Sequence, residues 1–69
     1  MQVTTFFLNG QIYYIRQKTT LSEIIDYFNY NNSLFVLEYN NLILDKKEWK
    51  KTFIKEGDKI EIVTIVGGG

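Results

Sequence analysis

Few of the residue types that carry covalent chemistry are present. Cysteine and histidine are both absent from the 69 residues. That excludes thiol chemistry, zinc sites built on thiolate or imidazole, and the commonest general base. Ser22 and Ser33 have no neighbour to activate them, and a serine at position 22 suits hydrogen bonding at a helix start. The acidic residues are scattered, with neither a paired-carboxylate motif nor a metal-ligand spacing. What remains is the end of the chain, Gly67-Gly68-Gly69.

At a background near 7% glycine, three in a row at a given place has odds of roughly a few in ten thousand. A frayed terminus or an expression remnant is the plain explanation for such a tail, and its context argues against it. The glycines follow directly on a strongly apolar stretch ending at Val66, which would anchor them as a strand. Glycine lacks a Cβ, so this tail can thread a narrow channel and present a bare carboxylate to another protein's active site. The group to watch is therefore the carboxylate of Gly69, with Gly67 and Gly68 as the threading segment.

Something must hold that tail out. Val3 to Leu8 is rich in β-branched and aromatic residues and runs into Asn9-Gly10, the strongest short hairpin signal, with Ile12 to Ile15 returning. Thr20 and Glu23 fit a capping box. Behind them Leu21, Ile24, Ile25 and Phe28 mark one face of a helix of about ten residues, which Asn29 to Asn32 should end. Leu34 to Tyr39 reads as a third strand broken at Asn40-Asn41, and Leu42 to Leu44 as a small edge strand. Asp45 with Glu48 caps a short helical turn carrying Trp49, and Glu56-Gly57-Asp58 forms a tight turn with Gly57 at positive φ. Lys59 to Val66 is the last strand. One helix on one face of a mixed sheet of four to five strands buries these apolar faces most simply, an α+β class. Residues 1–66 are expected to form a single domain, with 67–69 as the tail.

Size and composition narrow the setting. One small core must supply the stability, since no disulfide or zinc staple is possible, and 45% hydrophobic residues provide the material. Lys plus Arg balances Asp plus Glu, eight against eight, which gives no general attraction to nucleic acid or anionic membranes. No apolar run approaches spanning length, and the first residues lack the zones of a signal peptide. Alanine and proline are absent while Ile, Asn, Lys and Tyr abound, the bias of an AT-rich bacterial or organellar genome. The compartment expected is the cytoplasm, or the plastid stroma if the chain is organelle-encoded.

The succession of strand, helix, strand and terminal Gly-Gly resembles the β-grasp, ubiquitin-like proteins, and within them the ThiS family of sulfur carriers. The matching pieces are Leu8-Asn9-Gly10, the helix start at Thr20-Leu21 with Ile24-Ile25, and Glu38-Tyr39-Asn40-Asn41 leading to Glu48-Trp49. The segment from Glu56 to Gly69 is the most specific part. Asn41 departs from the glycine common there, and Phe53 lies near a position often held by proline. The resemblance implies a β-grasp fold and a carrier that is no enzyme and binds no cofactor or metal. A ThiF-like adenylyltransferase would use ATP to adenylate Gly69. Sulfur from a persulfide-bearing sulfurtransferase would then leave a thiocarboxylate, and a ThiG-like thiazole synthase would receive it for thiamine. The free chain is expected to be a monomer.

Two surfaces invite docking. If Ile60 and Ile62 point inward, the period-two rule turns Glu61, Val63 and Ile65 outward, and an apolar patch next to the tail suits the activating enzyme. Val66 adjoins it, and Ile12 and Tyr14 of the hairpin are expected to extend it. The competing expectation is a central strand buried on both faces. Lys46, Lys47, Lys50 and Lys51 around Trp49 could stack a base or meet an acidic patch, but a solvated turn with Trp49 inward is favoured. The rival functions are a related carrier for molybdopterin or tRNA thiolation and a non-covalent ubiquitin-like interaction module.

Overall fold

The computed structural model describes residues 2–30 and 34–65. Strands β1 (Thr4–Leu8) and β2 (Gln11–Ile15) form the first hairpin. Its turn residues Asn9 and Gly10 have φ of 50° and 83°, the left-handed pair that a two-residue turn of matching twist demands. Helix α1 (Leu21–Tyr27) follows, then β3 (Phe35–Tyr39), β4 (Leu42–Ile43), a 3-10 turn (Lys46–Glu48) and β5 (Lys59–Thr64).

The five strands make one mixed sheet in the order β2-β1-β5-β3-β4. The last strand is thus the central one, parallel to β1 and antiparallel to β3. This is the β-grasp arrangement, with the upper of the two expected strand counts. Asn40 and Asn41 turn β3 back into the edge strand β4 with φ of 51° and 73°. Asparagine therefore serves at position 41 where a glycine would have been the easy choice.

The capping box closes as expected. Glu23 N–H donates to Thr20 Oγ1 at 3.2 Å, and Thr20 N–H donates to Glu23 Oε1 at 2.8 Å. The helix is shorter than the periodicity suggests, seven residues, because Phe28 is already its cap and Asn29 takes φ of 62°. Phe28 still packs on the core, since the cap residue continues the helical face. Asn31 and Asn32, included in the expected helix end, and Ser33 lie outside the described residues.

One face of the sheet carries the core. Phe6, Leu8, Leu37, Ile60 and Ile62 meet Leu21, Ile24 and Ile25 of α1, with Trp49 and Ile54 closing the side. Each such buried side chain contributes roughly 1.5–3 kcal/mol of transfer free energy. Trp49 stacks on Phe35 with centroids 5.2 Å apart, and its Nε1–H donates to Leu44 O at 3.1 Å. The four lysines around it are exposed while Trp49 faces inward, so the ring is not offered to a base.

Candidate functional site: the end of β5 and the outer sheet face

Strand β5 is pinned from both sides by side chains as well as by ladders. Asn9 N–H donates to Ile60 O at 2.9 Å, and Asn9 Oδ1 accepts from Ile62 N–H at 2.8 Å. The turn amide thereby continues the β1–β5 ladder beyond the end of β1. On the other side Asn40 N–H donates to Lys59 O and Asn40 Oδ1 accepts from Lys59 N–H, both at 2.8 Å.

At the start of β5 the buried Asp58 carboxylate gathers three donors. Lys55 N–H donates at 2.7 Å, Asn40 Nδ2 at 3.1 Å, and the Tyr39 hydroxyl is the third. Burial, then the hydrogen bond to Asp58 and its negative charge, pushes the Tyr39 phenol up to about 12. Glu56 of the same turn ties it to β1, its Oε1 accepting from Thr5 N–H at 2.8 Å. These contacts fix the strand that leads to the C-terminus. Val66, Gly67, Gly68 and Gly69, the candidate modification and threading residues, lie outside the described residues.

On the outer face, β5 is central without being buried on both sides. Ile60 and Ile62 are inward, while Val63 and Ile65 are 51% and 54% exposed. The alternative of a strand buried on both faces therefore fails, because α1 packs on the other side. Val63 sits opposite Val36, and Ile65 N–H donates to Leu34 O at 2.7 Å, which sets Leu34 beside Ile65. Leu34, Val36, Val63 and Ile65 thus form an apolar patch on neighbouring strands where β5 ends. Leu34 and Val36 were missed at the level of sequence. Alternation along β3 could have turned them outward with Leu37 inward, but their pairing with β5 is long-range and has no local signal.

Ile12 and Tyr14 share that face and are exposed, but the register does not place them in the patch. Ile12 faces Phe7, and Phe7 faces Lys59. Val63 lies four residues farther along β5, about 13 Å at the rise of a strand, and two strands across. Expecting them together was mistaken, because the parallel pairing of β1 with β5 staggers the hairpin toward the start of β5. Among the described residues no group of three or more His, Cys, Asp or Glu side chains could hold a metal, and no helix is long and apolar enough to cross a membrane.

A five-stranded mixed sheet packed against α1, with the last of its strands in the central place, defines the ubiquitin-like, β-grasp class. The chain belongs to the ThiS family, whose family model matches residues 6–69, and its fold is that of the ubiquitin-like sulfur carriers. A crystal structure of the thiamine biosynthesis protein ThiS of Geobacter metallireducens superposes with a TM-score of 0.79, covering 96% of this chain and 100% of that one at 20% identity. Among relatives, the uncharacterized protein ycf40 of Trieres chinensis is 58% identical over 65 residues, 94% of this chain and 89% of that protein. The protein of the same name from Porphyra purpurea is 32% identical over 62 residues, 90% of this chain and 87% of that one.

Proposed function

We propose that this chain carries sulfur for thiamine thiazole synthesis as a thiocarboxylate on Gly69. The observation that carries the reading is that the family match runs through the terminal glycines while the fold makes the last strand before them the centre of the sheet. In this reading residues 1–66 are one folded unit and residues 67–69 are the reactive tail. A carboxylate is a poor electrophile. A ThiF-like adenylyltransferase activates it with ATP, forming an acyl-adenylate and releasing pyrophosphate. The terminal sulfur of a sulfurtransferase persulfide displaces AMP, and a thiol that cleaves the resulting S–S bond frees the thiocarboxylate. A thiazole synthase takes the sulfur.

The chain's own contribution is the group to be modified and a surface to hold. The patch of Leu34, Val36, Val63 and Ile65 stands where the tail departs, so an enzyme docking there has the tail at its active site. ATP belongs to the activating partner, and this chain binds no cofactor in the reading. For the compartment we take the plastid stroma, favoured by the AT-rich residue bias and by the ycf40 name that both relatives share.

The test is to incubate the chain with the adenylyltransferase, ATP and a sulfur source, then to alkylate and weigh it intact. With no cysteine in the chain, a thiol-selective reagent reports the thiocarboxylate alone. ATP-dependent alkylation at Gly69 is expected, and it disappears when Gly68 and Gly69 are deleted. An unlabelled chain with a demonstrably active enzyme system rejects the reading.

A further inference from the structure

The sheet has two edges, and they differ. Edge strand β4 is two residues long, whereas β2 is five and carries neither proline nor a bulge that would discourage pairing. The ladders orient its backbone. Phe7 and Asn9 send their N–H groups to β5, so the even residues of β1 bond β2 at Gln11, Tyr13 and Ile15. By the alternation of an antiparallel pair, the N–H and C=O of Ile12 and Tyr14 point outward along the open edge.

Beside this edge, between β2 and α1, runs a groove of about 380 Å³ lined by Tyr13, Tyr14, Ile15, Tyr27 and Phe28, among others. Its aromatic floor is built, with Tyr13 edge-on to Phe28 at 5.1 Å and Phe28 edge-on to Tyr27 at 5.0 Å. Gln17 joins the groove to a second recess that holds Arg16 and Lys18. Both cations are exposed, and neither forms an ion pair among the described residues; Lys18 lies 5.5 Å from the Phe53 ring centroid. Glu23 also lines the groove, but its carboxylate is held by the helix cap.

We propose that this edge and groove receive an extended, acidic segment of a partner protein, which adds to β2 as a sixth strand. Backbone groups of Ile12 and Tyr14 supply main-chain pairing, the aromatic groove takes an apolar side chain, and Arg16 with Lys18 takes carboxylates beyond it. A second copy of the chain fits less well. Antiparallel pairing of β2 with itself brings Arg16 against the Leu8-Asn9-Gly10-Gln11 end of its twin, which has no carboxylate. The site lies at the far edge from β4, two strands from β5, so a partner bound there leaves the patch at the end of β5 open. A carrier tethered by one handle can then be served by an enzyme at the other, with the gain in local concentration that tethering gives.

The probe is a synthetic peptide, acetyl-Thr-Val-Thr-Val-Thr-Asp-Asp-Glu-amide, titrated into the full, unactivated chain labelled with nitrogen-15. Saturable amide shifts are expected at Ile12 and Tyr14 and along Tyr27 and Phe28. Affinity should fall at least five-fold in the Arg16→Glu, Lys18→Glu double variant, whose two changes are at exposed positions, and should weaken with salt. A peptide N-methylated at alternate residues should not bind the unaltered chain, which separates strand addition from charge attraction without relying on any variant's folding. No saturable shift at millimolar peptide, shifts centred on Val36 and Val63, indifference to charge reversal or to N-methylation, or a concentration-dependent dimer through β2 would each overturn the proposal. Because the assay needs no activation, its failure is separate from failure of the sulfur-carrier reading.

Discussion

Asn9 extends the sheet with its side chain, its Oδ1 accepting from Ile62 N–H at 2.8 Å where β1 has already ended. The same residue turns the hairpin at φ of 50°. Asn40 repeats the device on the opposite side of β5, at φ of 51°, with its Oδ1 on Lys59 N–H. Two asparagines, each the first residue of a tight turn, thus grip the first half of one central strand from its two opposite edges. Glycine would satisfy the turn geometry and lose the grip.

Replacing Asn9 separates these two tasks. Asn9→Gly keeps the backbone free at positive φ and loses the acceptor for Ile62, a cost of about 1 kcal/mol. Asn9→Ala adds the left-handed penalty of an ordinary side chain, for a total of about 2–3 kcal/mol. Asn9→Asp keeps an acceptor and should lie closest to the parent chain. Urea unfolding followed by Trp49 emission ranks the three, and equal stability of the glycine and parent chains would remove the grip from the account.

Alkaline conditions should single out Tyr39. Its phenol is pushed up to about 12 in the fold, against an ordinary value near 10. The folded state therefore keeps a proton that the unfolded state releases. The resulting stability is full below about pH 10 and is lost as pH rises toward about 12. Urea midpoints taken from pH 9 to 12 should decline, and Tyr39→Phe should flatten that part of the decline. Identical slopes for the two chains would contradict the assignment.

The outer patch predicts a separation of docking from folding. A Val63→Ala, Ile65→Ala chain removes exposed side chains, so its stability should stay within about 1 kcal/mol of the parent. Its adenylation should show KM raised about ten-fold or more with kcat little changed, because docking and not chemistry is weakened. Steady-state pyrophosphate release measures both. Unaltered KM in the folded double variant would remove the patch as the enzyme's dock.

Inside, Leu37 is the sharpest test of packing. It is 1% exposed and lies opposite Ile62 in the ladder. Leu37→Ala should cost about 2–5 kcal/mol through lost transfer energy and the cavity left behind. In a domain of this size that is most of the stability available. The Trp49 emission maximum should shift red at far lower urea than in the parent chain, and a change under 1 kcal/mol would mean the site collapses freely.

The legible parts of the structure were those written in neighbouring residues. Asn9-Gly10 gave its turn, Thr20 with Glu23 its reciprocal cap, Asp45 its hydrogen bond to Lys47 N–H, and Gly57 its φ of 82°. Alternation along Ile60, Glu61, Ile62 and Val63 gave the correct faces. What alternation cannot give is which strands lie side by side. The parallel pairing of β1 with β5 sets Ile12 and Tyr14 away from Val63, while the antiparallel pairing of β3 with β5 brings Leu34 and Val36 to it. The Asp58 cluster was hidden for the same reason, since Tyr39 and Asn40 reach it from 18 or 19 residues away.

Strand order also dictates when this protein can fold. The central strand is the last of the five to leave the ribosome, so a nascent chain halted before Lys59 holds two hairpins with nothing between them. An isolated hairpin is marginal in water. Lacking the strand that both depend on, such a chain remains open to proteolysis. The core is therefore closed last: only once Lys59–Thr64 has been made do Ile60 and Ile62 stand between the two hairpins.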